Sequence, residues 1–271
     1  MRLLLALFLA ALTGATQAQD AGALRARHAA LQQQLANNTF GRPLHVESSA
    51  SGGAHKGEIY AVIEQPFSVV APALARAAHW CEILALQVNV KRCNASNGNM
   101  VRTFITRKAR DPVDSAYRVD FRFEPGTASR DYLRVALGAP SGPVGTRDYR
   151  IVLEAAPLDS RRTFMHMSYA YTLGTMARFA IDAYLAGAGR DKPGFSVDGG
   201  ERGVVERSAM RYYLAVEAHL DSLGVPPAQR LEARLRRWYA AIARYPQLRE
   251  AVSAEEYVEM KRKEAAAVAP G

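Results

Sequence analysis

Long hydrophobic runs are nearly absent from this chain of 271 residues. The longest uninterrupted apolar run covers residues 3–12, which is too short for a bilayer-spanning helix of about 20 residues. Arg2 precedes this run, and Thr16 and Ala18 supply small residues after it, as in a cleavable secretory signal. We therefore predict a signal peptide over 1–18, cleaved after about Ala18, and a periplasmic or secreted protein. The alternative is an uncleaved anchor.

Cysteine is equally scarce, with only Cys81 and Cys93 in the whole chain. Two thiols twelve positions apart in an exported protein predict one disulfide. A pair of buried free thiols is the alternative. No CxxC or HxxxH pattern accompanies the cysteines, so the sequence predicts no metal site.

Motifs of catalysis are missing as well. The sequence contains no GxSxG elbow, no HExxH and no glycine-rich phosphate loop, and five of its six histidines are dispersed without ligand spacing. We expect no cofactor, and the sequence favours a protein without catalytic activity. His166, on a predicted strand, is the one candidate general base, although a lone strand histidine is more often structural.

Positive charge exceeds negative charge, giving a formal net charge of +9 with no dense basic tract. This balance favours anionic partners such as membrane surfaces, and an exported chain is not expected to meet nucleic acid. Arg207 and Arg211, one helical turn apart, could clamp an anion, or could form intrahelical or interdomain ion pairs. Arg234, Arg237 and Trp238 belong to an amphipathic helix that could lie on an anionic membrane, or could dock on its own domain.

Hydrophobic periodicity divides the chain. A helical stripe occupies 21–37, two strands at 44–48 and 57–64 suggest a hairpin, and a proline-initiated helix follows and ends near Trp80. Between 100 and 172 the apolar residues alternate with polar ones, which predicts an antiparallel meander. Helices complete the chain, so the fold class is α+β.

The segment Ile-Tyr-Ala-Val-Ile-Glu at 59–64, followed at once by Pro66-Phe67 and a helix that reaches Trp80, resembles the helix-grip fold of the START and Bet v 1-like (SRPBCC) superfamily. That resemblance implies a curved antiparallel sheet wrapped around a long helix, with a cavity between them. The helix at 176–186 would take the gripped position. Segments around Trp80, Cys93 and Tyr213 look similar to uncharacterised exported proteobacterial proteins.

The resulting organisation has four parts: a signal peptide at 1–18, an N-terminal helix at 19–39, a helix-grip domain at 40–190, and a C-terminal helical extension at 195–268. Aromatic and sulfur-containing residues would line the cavity, because ligand sites are largely apolar with a few placed polar groups. A filled core is the alternative. The candidate residues are Trp80, Phe121, Phe123, Tyr149, Met165, Met167, Tyr169, Tyr171 and Phe179.

These expectations lead to one main hypothesis, a binding protein that holds a lipid or another hydrophobic small molecule, with possible peripheral contact to an anionic membrane. A cell-envelope enzyme using His166 in the same cavity is one alternative. A protein-interaction module acting through the C-terminal helices is the other.

Overall fold

A computed structural model describes residues 20–96 and 99–267. The predicted signal peptide lies outside these residues. Within the described part of the chain, no helix is long and apolar enough to cross a membrane.

One antiparallel sheet of eight strands forms the centre of the molecule, in the order β1-β2-β8-β7-β6-β5-β4-β3. The alternation predicted between 100 and 172 is present as β4 to β8, whereas the sequence prediction did not identify β3. The strands are β1 (Leu44–Ser51), β2 (Ala54–Ile63), β3 (Val90–Ala95), β4 (Met100–Ile105), β5 (Tyr117–Glu124), β6 (Leu133–Ser141), β7 (Thr146–Pro157) and β8 (Thr163–Leu173).

Eight helices accompany the sheet in the described ranges. The stripe predicted at 21–37 is divided near Leu31, and the proline-initiated helix is divided at Ala75 and Arg76. Their bounds are α1 (Ala21–Ala30), α2 (Gln32–Ala36), α3 (Phe67–Leu74), α4 (Ala77–Leu84), α5 (Thr175–Ala186), α6 (Gly200–Asp221), α7 (Arg230–Ala243) and α8 (Ala254–Ala266).

The helix held by the curved sheet is α6, and the expectation for 176–186 is wrong. Thirteen of its 22 residues are buried, because apolar side chains such as Val205, Met210 and Tyr213 occur on several of its faces. By contrast, α5 buries only Ala177 and leaves much of its length exposed. The sequence analysis placed the boundary between the helix-grip domain and the C-terminal extension at 190–195. In the structure that boundary falls between the sheet and α6, the helix that the sheet holds. The fold class itself is confirmed as α+β, with a curved antiparallel sheet that holds a long helix.

Close contact between α6 and the sheet depends on Gly57 in β2. A β-carbon at this position would lie 2.9 Å from Cβ of Ala209 and 2.9 Å from the carbonyl oxygen of Val205. Only glycine permits this approach, because the second contact is with helix backbone that cannot rotate away. Gly57 is therefore the point at which the helix rests on the strand.

The start of α6 is anchored by buried polar groups. Glu206, which has no exposed surface, accepts hydrogen bonds from Oγ of Ser48 at 2.5 Å and from the backbone N–H of Ser196 at 2.9 Å. His55 in β2 lies with Nε2 2.6 Å from Oε2 of Glu201. Buried polar groups that are satisfied in this way fix the position of the helix on the sheet.

Opposite faces of the sheet carry separate cores. The concave face and α6 belong to the main core, whereas Leu24, Leu31 and Leu35 pack with Tyr60 and Phe164 in a smaller core on the convex face. The predicted N-terminal helix thus covers the side of the sheet that faces away from α6.

The C-terminal helices pack on the same domain. Trp238 in α7 is fully buried and donates from its indole nitrogen to the Arg211 carbonyl at 3.2 Å. Arg234 is also buried, with Nη1 3.1 Å from Oε2 of Glu82. The membrane-facing interpretation of Trp238 and Arg234 is therefore wrong, because their side chains dock inside the protein. Arg237 is exposed and donates to the Asp221 carbonyl at 2.7 Å.

The predicted disulfide between Cys81 and Cys93 is present and joins α4 to β3. It tethers the edge of the sheet to the helix that precedes it along the chain. Within the described residues, no cysteine is free.

We expect the substitution Gly57→Ala to lower the free energy of unfolding by about 1–3 kcal/mol, because the added methyl group overpacks the contact with α6. Urea denaturation measures this change. Gly138→Ala in β6 is the matched control, since a β-carbon there has its nearest neighbour at 3.8 Å, an ordinary contact. Equal destabilisation by the two substitutions would contradict the proposed role of Gly57.

Reduction of the Cys81–Cys93 disulfide is expected to lower the free energy of unfolding by about 3 kcal/mol, because the cross-link restricts the unfolded chain over a separation of 12 residues. Denaturation with and without a reductant measures this difference. The double variant Cys81→Ala, Cys93→Ala should have the same free energy of unfolding as the reduced protein, and the reductant should not change it. An unchanged urea midpoint on reduction of the native protein would refute the prediction.

Candidate functional site

A cavity of about 960 Å³ lies between the concave face of the sheet and α6. Its sheet wall comes from β4, β5, β7 and β8, whereas α6 packs mainly over β1, β2 and β8. The helix thus touches one half of the sheet and stands away from the other half. The space between the curved sheet and the helix is the cavity.

Four tyrosines form the centre of the wall, with Tyr149, Tyr169 and Tyr171 on the sheet and Tyr212 on α6. The rings of Tyr169 and Tyr212 stack with centroids 4.9 Å apart, and those of Tyr149 and Tyr171 with centroids 5.7 Å apart. Tyr149 donates its hydroxyl hydrogen to Oγ1 of Thr146 at 2.8 Å. Such a wall presents aromatic faces together with a few hydroxyl groups, the composition expected of a small-molecule site.

Burial keeps these phenols neutral. It raises the pKa of Tyr169, Tyr171 and Tyr212 above the ordinary value of 10.0. The neighbouring tyrosine hydroxyls add to the shift at Tyr169. At neutral pH the tyrosines therefore offer hydroxyl donors and acceptors but no negative charge.

Strand alternation explains which side chains reach this wall. In β8, Tyr169 and Tyr171 share one face of the strand with Met165 and Met167, and His166 points to the other face. The pairing of Tyr169 with Ile151, and of Met167 with Leu153, keeps the inward set continuous with β7. A sequence with strict period two thus places its aromatic residues on the concave side.

Charged side chains collect at one end of the cavity. Arg211 of α6 lines it with Nε 2.9 Å from Oε1 of Glu250. The exposed side chains of Arg107, Lys108 and Arg110, from the loop after β4, belong to the lining as well. The carboxylates Asp111 and Glu250 belong to the same part of the lining, so the four cations leave an excess of positive charge. Because the exposed cations reach both solvent and the cavity, this end is a cationic mouth.

Helix α5 covers part of the cavity. Ala177, Ile181 and Tyr184 face inward, whereas Met176 and Phe179 are each 67% exposed. Phe179 therefore does not line the cavity, and its assignment as a ligand-binding residue is wrong. The reason is the helical phase, since Phe179 lies on the opposite side of α5 from the inward residues.

The other predicted ligand residues fall into two groups. Phe121, Tyr149, Tyr169 and Tyr171 line the cavity. Four others pack in the main core outside that lining, so their assignment as cavity-lining residues is corrected; these are Trp80, Phe123, Met165 and Met167. Trp80 is fully buried, and its indole N–H donates a hydrogen bond to the Leu74 carbonyl at 2.9 Å.

Residues of α5 and α6 complete the lining, and sequence reasoning missed them. Tyr212 and Ser208 line the cavity but were not predicted, because α6 was assigned to an extension outside the helix-grip domain; Ile181 of α5 also lines it and was not among the candidates. Arg207 was predicted as an anion clamp, but both hydrogen bonds of its Nη1 go to the carbonyls of Lys192 and Pro193 at 2.8 Å. It holds the loop before α6 through these carbonyls, which is a structural role but not the ion pairing given as the alternative. Arg211 does reach the cavity.

Comparison with known proteins gives no family model that matches the chain and no curated relative. Among solved structures, norcoclaurine synthase from Thalictrum flavum, in complex with dopamine and hydroxybenzaldehyde, is similar over 50% of this chain and 83% of its own, at 9% identity and a TM-score of 0.35. A conserved protein from Geobacillus kaustophilus is similar over 61% and 95%, at 9% identity and a TM-score of 0.38. The fold class rests on the sheet order and on the position of α6.

His166 belongs to a separate polar cluster on the convex face of the sheet. Its Nδ1 lies 2.9 Å from Oε2 of Glu154, and its Nε2 lies 3.1 Å from Oε1 of Glu58. The ring stacks on Tyr60 at 4.5 Å, and Tyr132 donates to Glu154. Both ring nitrogens are engaged and the cavity is on the other face. The alternative in which His166 acts as a base inside the cavity is therefore wrong.

The two carboxylates favour the charged form of His166. Burial lowers the pKa of His166, but hydrogen bonds to Glu154 and Glu58 outweigh it and leave the pKa above 6.5. Burial raises the pKa of Glu58, but hydrogen bonds from His166 and Lys56 bring it down to about 2. The pKa of Glu154 is lowered as well, because bonds from His166 and Tyr132 outweigh its burial.

Linkage gives the pH dependence of this cluster. A raised His pKa stabilises the fold below 6.5, and the contribution is lost as pH rises through the folded-state pKa. The lowered carboxyl pKa values stabilise the fold above 4.5 and lose their effect as pH falls. The window of full stabilisation therefore lies between these two values.

His166→Gln is expected to lower the free energy of unfolding by about 3 kcal/mol at pH 5.5, because the largely buried Glu154 loses its hydrogen-bonded cation and Glu58 keeps only the partly exposed Lys56. The difference from the native protein should shrink at pH 9, as measured by urea denaturation at both pH values. His45→Gln is the control, since the one ion pair of His45 among the described residues is with the partly exposed Glu47, and less than about 1 kcal/mol is expected. A pH-independent effect of His166→Gln would contradict the charged cluster.

Proposed function

We propose that this chain is an exported binding protein that holds a lipid or another hydrophobic small molecule between its sheet and α6. One observation carries the proposal: the tyrosine-lined cavity of about 960 Å³. Small-molecule pockets typically measure about 300–1,000 Å³ and are lined by apolar and aromatic side chains with a few polar groups. The cavity has this size and this lining.

The mouth of the cavity favours an amphiphile. Lys108 and Arg107 are exposed at the end where Arg211 pairs with Glu250. An acyl chain would lie against the tyrosine wall, and a carboxylate or phosphate head would remain beside the cationic loop, where water also reaches it. Partial hydration keeps the cost of placing that charge low.

Export is supported by two features. The N-terminal 18 residues have the pattern of a secretory signal. The disulfide between Cys81 and Cys93 is a bond that persists in oxidising compartments. Periplasmic or secreted localisation remains the expectation from the sequence. A peripheral contact with an anionic membrane during ligand transfer is part of the same hypothesis.

Ser208→Trp tests the site, because Ser208 lines the cavity from α6 and an indole there occupies the space of the ligand. We expect the variant to bind a fluorescent fatty acid at least about tenfold more weakly than the native protein, because its indole excludes the acyl chain, whose burial is worth about 0.8 kcal/mol per CH₂ group. Fluorescence titration measures the affinity, and circular dichroism checks folding.

Ala183→Trp is the matched control, since Ala183 is exposed on α5 and is not part of the lining. It should bind the fatty acid within about twofold of the native protein. Competition by a fatty acid and by its methyl ester separates the roles of the wall and the cationic mouth. Equal affinity in the native protein and Ser208→Trp, or no uptake by the native protein, would refute the proposal.

A further inference from the structure

A second cavity, of about 530 Å³, lies among α4, β3, α7 and α8. It shares no lining residue with the tyrosine-lined cavity. The disulfide between Cys81 and Cys93 forms part of its wall. Its chemistry differs from that of the first cavity, because seven charged side chains and two histidines, but no tyrosine, belong to its lining.

Positive charge exceeds negative charge in this second cavity. Five cationic side chains line it, and only Glu82 and Glu264 oppose them; the cations are Lys91, Arg92, Arg230, Arg234 and Lys261. Glu264 lies 2.9 Å from Nζ of Lys91 and 2.7 Å from Nζ of Lys261, so one carboxylate serves two ammonium groups. Buried charge without full compensation is unfavourable, which makes an added anion stabilising.

His219 supplies an independent sign of a ligand. It is 1% exposed and lines this cavity; the Ala73 carbonyl lies close enough to favour one ring N–H, but neither ring nitrogen makes a hydrogen bond of good geometry within the described residues. Nδ1 is 3.4 Å from Oε2 of Glu82, without the geometry of a hydrogen bond. Buried polar groups are almost always satisfied, and the Ala73 carbonyl can serve only one ring nitrogen, so the other nitrogen, beside a cavity, indicates a missing partner.

Two arginines flank this histidine from α7. Arg234 donates from Nε to Oγ of Ser222 and forms an ion pair with Glu82 through Nη1. Arg230, four residues earlier on the same helix face, uses Nε and Nη2 for the carbonyls of Val225 and Leu223. The bonds hold each guanidinium in place and leave one terminal nitrogen of each outside these contacts.

We infer that this second cavity binds a small oxyanion, a carboxylate or phosphate group, through His219, Arg230 and Arg234. Fixed guanidinium groups are strong partners for such oxygens. An anion there would accept a hydrogen bond from the imidazole and would balance the excess positive charge.

The protonation of His219 agrees with the role of a neutral donor. Burial, together with the positive charges of Arg234 and other neighbours, lowers the pKa of His219 to about 3. The ring is therefore uncharged at neutral pH and donates from one nitrogen only. The groups facing it are Glu82 and His79 from α4 and the two arginines from α7.

Isothermal titration calorimetry of the folded chain with sodium phosphate, and separately with sodium acetate, tests this site at constant ionic strength set with sodium chloride. We expect saturable binding of at least one of the two probes by the native protein. Arg230→Gln should weaken it about tenfold, because it removes a charged hydrogen-bond donor. His219→Phe keeps the ring shape and should weaken it about fivefold.

Arg236→Gln is the control on the same helix, because Arg236 is exposed, pairs with Glu232 and does not line the cavity. It should bind the probe within about twofold of the native protein. No saturable binding of either probe, or equal affinity in Arg230→Gln, His219→Phe and Arg236→Gln, would overturn the inference. Fatty-acid uptake should be unchanged in all three variants, so failure here is distinguishable from failure of the proposed function.

Discussion

The contact between α6 and β2 at Gly57 is the constraint on which the rest of the structure depends. The helix approaches the strand closely there, with a would-be β-carbon only 2.9 Å from helix backbone. Because the sheet curves away from that contact, its strands β4, β5 and β7 stand apart from the helix. The space on that side forms the cavity, and the stacked rings of Tyr212 of α6 and Tyr169 of β8 lie in its wall.

Other elements take their positions from this contact. Helices α7 and α8 pack behind α6, where Trp238 bonds to the Arg211 carbonyl and Tyr257 bonds to the Leu86 carbonyl at 2.7 Å. Their docking creates the second, cationic cavity between α4 and α7. On the convex face, α1 covers a separate core beside the His166 cluster. The His166 cluster and the tyrosine-lined cavity therefore lie on opposite faces of one sheet.

Local patterns in the sequence predicted the local structure well. Period-two alternation located Tyr149, Tyr169 and Tyr171 on the concave face, and the cysteine spacing predicted the disulfide correctly. The sequence did not reveal which helix the sheet holds. Both 176–186 and 200–221 contain enough apolar residues to pack against a sheet. The choice between them depends on long-range packing at Gly57 and on the buried bonds of Glu206, which no local pattern encodes. For the same reason, the sequence analysis wrongly assigned Phe179 to the cavity and did not identify Ser208 and Tyr212 as lining residues.

Native mass spectrometry of the protein purified from the cells that produce it tests the central claim most directly. The account predicts a noncovalent complex with one hydrophobic organic molecule, released by organic extraction and displaced by added fatty acid. It also predicts that the extracted protein takes up one fatty acid per chain. A ligand-free mass together with no uptake from a mixture of fatty acids would contradict the account.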